Sequence, residues 1–275
     1  MKPTPAHALV TLLLIIAACG GGAEPPLGVV ANAPGTLTIN GPQRMLVGLL
    51  SNEAESLAAA DRPAQIDVFV GEPDNVLGSV DATYIDTIPG VRGIYRFNVT
   101  FLDPGTYGLI VRAEGLPASG PVLFSVAEEG IVPDVGDLAP PSDTPTAADR
   151  PLAEISSDPN PEPRFYELSV ADAVASGRPS VIVFSTPAWC QTASCGPTLE
   201  FVKEVAATQS DVNFVHVEVY ENLDAERFED LIVAPAVTEW GLPSEPWVFV
   251  VNGDGTIAAT FEGAIDPAEL AAALP

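Results

Sequence analysis

Cys190 and Cys195 stand in the string PAWCQTASCGP, directly after the apolar run Val181-Ile182-Val183-Phe184. A strand that ends in Trp-Cys, with a second cysteine close behind, is a way of presenting a dithiol, so thiol chemistry is the first expectation. The thiolate is the reactive form, and the unpaired N–H groups at a helix start lower a cysteine pKa. The whole chain holds three cysteines and two histidines, His7 and His216. A zinc site of the usual Cys and His composition therefore lacks ligands, and no metal site and no cofactor are expected. An inert structural bridge or a pair of buried thiols is the competing reading of the same two residues.

The elements that must hold the pair follow from the flanking pattern. Ser169 with Asp172 marks a helix start, and Gly177 and Pro179 mark its stop before the strand 181–184. After the cysteines, Leu199, Val202 and Val205 recur on one face of an amphipathic helix. Phe214 to Val219 and Trp247 to Val251 read as strands, and Asn252-Gly253-Asp254-Gly255 as a hairpin turn into a strand over 256–261. Asp266-Pro267-Ala268-Glu269 opens a closing helix, with cap, first-position proline and capping acid in register.

The rest of the chain reads differently. Residues 35–127 carry short alternating runs, such as Ile66-Asp67-Val68-Phe69-Val70 and Tyr95 to Phe101, separated by turn residues. Period 2 at this spacing predicts an all-β sandwich, and DPGTYGLIVRAE resembles the late strand of an immunoglobulin-like domain. Residues 128–163 are rich in Pro, Asp, Ser and Ala and predict an extended linker, although VGDLAP also resembles the opening of redoxin domains. Residues 1–18 read as a secretory signal, with Lys2 followed by an apolar stretch too short to span a membrane. Ile16-Ala17-Ala18-Cys19 resembles the lipobox of bacterial lipoproteins, which implies acylation of Cys19 and a flexible tether over 19–34. Export would permit the remaining two cysteines to oxidise.

The formal net charge is −26, from 37 acidic and 11 basic residues. Such a surface repels phosphate backbones and excludes nucleic acid as a partner. It also disfavours a polybasic grip on anionic lipid, leaving the acyl chain as the expected membrane contact.

Residues 164–275 resemble the thioredoxin family. The order of elements, Trp189-Cys190 at the end of a central strand, and the run VTEWGLPSEPWVFVVNGDGTIAATFEGAIDPAELAAAL carry the resemblance. It implies an α/β thioredoxin-like fold for this stretch, so that with the sandwich expected over 35–127 the chain reads as two domains. It also implies Cys190 as attacking and Cys195 as resolving thiol, a cis Pro246, and a substrate groove beside Trp189, Glu245 and Pro246. The departures are four residues between the cysteines, Phe184 where many members carry a buried aspartate, and Glu245 next to the proline, a carboxylate that would raise a thiol pKa.

The expected function is a lipid-anchored, extracytoplasmic thiol:disulfide oxidoreductase of the cell envelope. It would act on an exported protein or a small-molecule disulfide or thiol, with a membrane electron donor. A peroxidase of the peroxiredoxin type is the second enzyme reading, weakened because no arginine stands beside Ser244-Glu245-Pro246. The reading outside catalysis is a binding or copper-passing lipoprotein, weakened because Met45 is the only methionine beyond Met1.

Overall fold

The computed structural model describes residues 24–275. The signal over 1–18 and the acylation of Cys19 expected from sequence lie outside the described residues.

Strands β1 (Leu27–Val30), β2 (Pro42–Leu50), β3 (Ala64–Val70), β4 (Val76–Ile88), β5 (Arg92–Thr100), β6 (Gly105–Ala113) and β7 (Val122–Val126) form one antiparallel sheet in the order β1-β2-β5-β4-β3-β6-β7. Alternation along β5 points Tyr95 and Phe97 inward, where they meet Met45, Phe101, Tyr107 and Leu109 in one core. Gly108 sits where Phe69 crosses the neighbouring strand, and a Cβ there would overlap the phenyl ring.

The second sheet has the order β11-β10-β8-β9, from β8 (Ser180–Ser185), β9 (Asn213–Glu218), β10 (Trp247–Val251) and β11 (Ile257–Glu262). β8 and β9 run parallel, while β10 is antiparallel to both β8 and β11. Among the described residues five α-helices accompany the sheets: α1 (Leu152–Ile155), α2 (Val170–Ala175), α3 (Cys195–Ala206), α4 (Pro235–Glu239) and α5 (Pro267–Ala273). Side chains of β8 and β10 alternate between two cores, with Ile182, Phe184 and Phe249 on one side and Val181, Val183, Val248 and Val250 on the other. Both faces of the central strands are covered, which is why they read as unbroken apolar runs.

The α/β thioredoxin-like fold expected over 164–275 is corrected. The described chain is predominantly β, and its first seven strands form one continuous ladder. Helix is confined to segments of 4 to 12 residues. The reason is local: α1 is a single turn between Pro151 and an extended Ser156, and α4 ends at Gly241, whose φ of +63° leaves the helical region.

Residues 128–163, read as an extended linker, run along the second sheet and bond to it. Gly136 and Ala139 donate to the carbonyls of Ile257 and Gly255, and Ile257 donates to Asp137, each at 2.9 Å. Further on, Ala171 donates to Ser142 at 2.9 Å and Ala147 to Tyr166 at 2.8 Å, while Ile155 is buried. Pro-rich composition argues against a core of its own, but the backbone can still be satisfied by a neighbouring edge.

The two sheets are joined by buried charge. Arg44 pairs with Glu269 through Nε at 2.8 Å and Nη2 at 2.9 Å, and also donates to the carbonyls of Glu262 and Ala264. The Glu262 carboxylate accepts from Ala33 N at 2.6 Å, Thr36 Oγ1 at 2.9 Å, Asn32 Nδ2 at 3.2 Å and Ser244 Oγ at 3.2 Å. Burial pushes the pKa of Glu262 up, and these donors oppose that shift.

Candidate functional site

The cysteines lie where β8 ends and α3 begins. Cys195 is the first residue of α3, whose buried face comprises Cys195, Thr198, Leu199, Val202, Val205 and Ala206. That spacing is the one-face pattern of a helix, and it drives Cys195 into the core while the preceding loop stays outside. Cys195 is fully buried, whereas Cys190 is half-buried, and the two form a disulfide with Cα atoms 5.9 Å apart.

Three polar contacts organise the loop. The backbone N–H of Cys195 donates to Cys190 Sγ at 3.2 Å. Thr192 Oγ1 lies 3.4 Å from Cys190 Sγ and 2.6 Å from Ser194 Oγ. Ala193 takes a left-handed φ of +59°, a conformation that costs an alanine about 1 kcal/mol.

Glu245 approaches from the turn before β10. Its carboxylate and the two Sγ atoms all lie within 4.8 Å of one another. Burial raises its pKa, a backbone hydrogen bond from Gln191 lowers it, and the net direction is up. The next peptide bond, Glu245–Pro246, is cis, and Pro246 is buried. Tyr220 stands near enough that, after burial, the charges of Glu245 and Glu218 raise its hydroxyl pKa further.

Of the residues expected at the site, the structure brings together Cys190, Cys195 and Glu245, with Pro246 next to Glu245 in the chain. Trp189 follows a tight turn in which its N–H donates to Thr186 at 3.2 Å, and its ring packs against the core of Phe184, Trp240 and Phe249. It is thus held by packing.

Arg92, from the start of β5, joins the site without any mark in the sequence. Its Nη2 donates to the carbonyl of Thr192 at 3.3 Å, so a cation of the first sheet rests on the cysteine loop. A groove of about 290 Å³ lies between the two sheets, with Leu46, Leu50 and Ile94 on one wall and Thr192, Ser194 and Glu245 on the other. The partners on the first wall stand some hundred residues or more from the cysteines, beyond the reach of any local pattern.

His216 sits in a separate buried cluster. Tyr166 Oη lies 2.7 Å from Nδ1 and Ser185 Oγ lies 2.9 Å from Nε2. Burial lowers the His216 pKa to about 4 and holds the ring neutral.

No family model and no curated protein matches this chain. Among solved structures it is similar to the filamin domain of Lin-41, at 18% identity over 37% of this chain and 92% of that one, with a TM-score of 0.24. A lipoprotein from Bacteroides thetaiotaomicron is similar at 13% identity over 38% and 82%, with a TM-score of 0.23. A metagenome-derived glycoside hydrolase family 9 endoglucanase follows at 14% identity over 45% and 26%, with a TM-score of 0.25. Membership of the thioredoxin family, expected from the motifs around Cys190 and Pro246, is corrected: no family model matches the chain, and its described residues are predominantly β. Each of these solved structures covers less than half of this chain, and no activity is carried over from them.

Proposed function

We propose that this chain is an extracytoplasmic thiol:disulfide exchange protein, anchored by an acylated Cys19, whose working couple is Cys190 and Cys195. The observation that carries the reading is the N–H of Cys195, in the first turn of α3, donating to Cys190 Sγ at 3.2 Å. When the disulfide opens, that donor is already aimed at the sulfur that gains charge, and the helix start favours the anion. The pair is also unequal: Cys190 is reachable and Cys195 is not.

In the reducing direction the Cys190 thiolate attacks a substrate disulfide, forming a mixed disulfide and releasing one substrate thiolate. The Cys195 thiol then loses its proton and attacks Cys190 Sγ, restoring the internal disulfide and releasing the second substrate thiolate. Two electrons pass from the pair to the substrate, and the reverse sequence oxidises a substrate dithiol. Glu245, with its carboxylate within 4.8 Å of both sulfurs, is the group in reach of the thiol proton.

The test is insulin reduction with a dithiol donor. Cys190→Ser abolishes it, and Cys195→Ser accumulates a mixed disulfide visible as a mass adduct on the intact protein. Undiminished reduction by Cys190→Ser refutes the proposal. Loss of labelled fatty acid from Cys19→Ser checks the anchor.

A further inference from the structure

The geometry points to a second use of the same pocket: we propose that, once the disulfide is reduced, Cys190, Cys195 and Glu245 bind one zinc ion. The three donor atoms already lie within 4.8 Å of one another, although the residues come from a loop, a helix start and a turn fifty positions on. A tetrahedral zinc with Zn–S of about 2.3 Å and Zn–O of about 2.1 Å separates its ligand atoms by about 3.4–3.8 Å. The required inward movement is therefore small, and the Cα separation of 5.9 Å accommodates two sulfurs that part when their bond is broken.

The surroundings supply the rest of a three-ligand site. Among the described residues, no lysine or arginine forms an ion pair with Glu245. Its carboxylate is half-buried and faces the sulfurs, with a hydrogen bond from the Gln191 backbone. Two thiolates and a carboxylate would be three negative charges beside a helix start, and a dication offsets most of that charge. The Cys195 N–H on Cys190 Sγ and Thr192 Oγ1 beside it form the outer layer that orients a thiolate ligand. Cys190 is on the open side, which leaves room for water as the fourth ligand.

The donor set selects the metal. Cu(I) would bind the two sulfurs and gain little from a carboxylate, while Mg²⁺ and Ca²⁺ take oxygen ligands and reject thiolates. Two sulfurs with one oxygen suit a borderline-soft, tetrahedral ion, which is zinc. Counting cysteines and histidines in the sequence misses the site because the third ligand is a glutamate.

The chemistry balances with a named reductant. A dithiol such as dithiothreitol transfers two electrons and two protons to the Cys190–Cys195 disulfide and leaves as its cyclic disulfide. Zinc then displaces the two thiol protons, with no change in its own oxidation state. Metal and disulfide are mutually exclusive, so occupancy removes the pair from exchange until zinc leaves.

The experiment compares the oxidised protein with protein reduced by dithiothreitol and desalted without oxygen, using zinc in competition with a chromophoric chelator. Cobalt serves as the spectroscopic substitute. The expected result is one zinc per chain in the reduced form, at least about 100-fold weaker binding in the oxidised form, and thiolate-to-cobalt charge transfer with four-coordinate d–d bands. Cys190→Ser and Cys195→Ser each abolish those bands. Glu245→Gln weakens zinc at least about tenfold, within the range seen when the support of a metal site is damaged. Re-formation of the disulfide in Glu245→Gln shows that the variant folds. Equal zinc uptake by oxidised and reduced protein, parental affinity in Glu245→Gln, or uptake of Cu(I) but not zinc would each overturn the proposal. The readout is binding, so it stands or falls apart from insulin reduction.

Discussion

Replacing Glu245 by glutamine removes a negative charge that lies within 4.8 Å of both sulfurs while keeping the side chain's shape. Coulomb's law at that separation gives about 0.9 kcal/mol in a medium as polar as water and about 3.5 kcal/mol at an effective dielectric of 20. Glu245 and Cys190 are both half-buried, so the relevant value lies between these limits, at about 1–2 kcal/mol, or about one pKa unit. The sign is fixed by the chemistry: an ionised carboxylate opposes a thiolate, so Glu245→Gln lowers the Cys190 pKa. The assay is the pH dependence of iodoacetamide alkylation of the reduced protein, with the Cys190 peptide quantified by mass spectrometry. The variant's midpoint falls by about one unit, and at neutral pH its alkylation is faster by up to about tenfold. A midpoint unchanged within about 0.2 units, or one that moves upward, refutes the electrostatic coupling of Glu245 to the cysteine pair.

Three further outcomes follow from the structure. The His216 pKa of about 4 lies below its ordinary value of 6.5, so stability is at its plateau above pH 6.5 and falls as pH drops towards 4, where the unfolded chain takes up a proton that the folded one refuses. The loss amounts to about 3 kcal/mol at most. Urea midpoints for the parent and His216→Gln isolate it, because Glu218 and Glu262, whose pKa values burial raises, act in the opposite sense in both proteins. Gly241→Ala destabilises by at least about 2 kcal/mol in chemical denaturation, since φ is +63° and a Cβ would overlap the Ile131 carbonyl oxygen. Ala193→Gly raises the thermal midpoint by relieving up to about 1 kcal/mol of left-handed strain in the cysteine loop, and an unchanged midpoint counts against that strain.

The strands and caps around the cysteines are written in local code. Val181 to Phe184 form the centre of β8, Ser169 caps α2 by accepting from Asp172 N, and Asp266 caps α5 by accepting from Ala268 N. The Leu199, Val202 and Val205 face predicted for α3 is the face that is buried. Contacts made across the fold leave no local trace. Arg44 with Glu269, Glu262 with Asn32, and Arg92 with Thr192 join residues at least a hundred positions apart, and each residue alone reads as an ordinary polar side chain. The stretch 128–163 reads as a linker because composition reports the absence of a private core and is blind to a neighbour's unpaired backbone. The family resemblance rests on short strings around Cys190 and Pro246, which report local chemistry, and local chemistry does not establish descent.

The hydrogen bonds that tie Gly136, Asp137 and Ala139 to the β11 edge have a consequence for how copies of this chain meet. β11 is one of the two edge strands of its sheet, and a bare edge strand is a template on which another polypeptide can polymerise. The 136–139 segment occupies the beginning of that template from within the same chain, like a selvage that stops a weave from unravelling outward. A single proteolytic nick in the exposed stretch 135–138 would loosen the seal while Ala139 stays in the core beside it. The nicked protein would keep its fold and lose its solubility, with concentration-dependent association as the first sign.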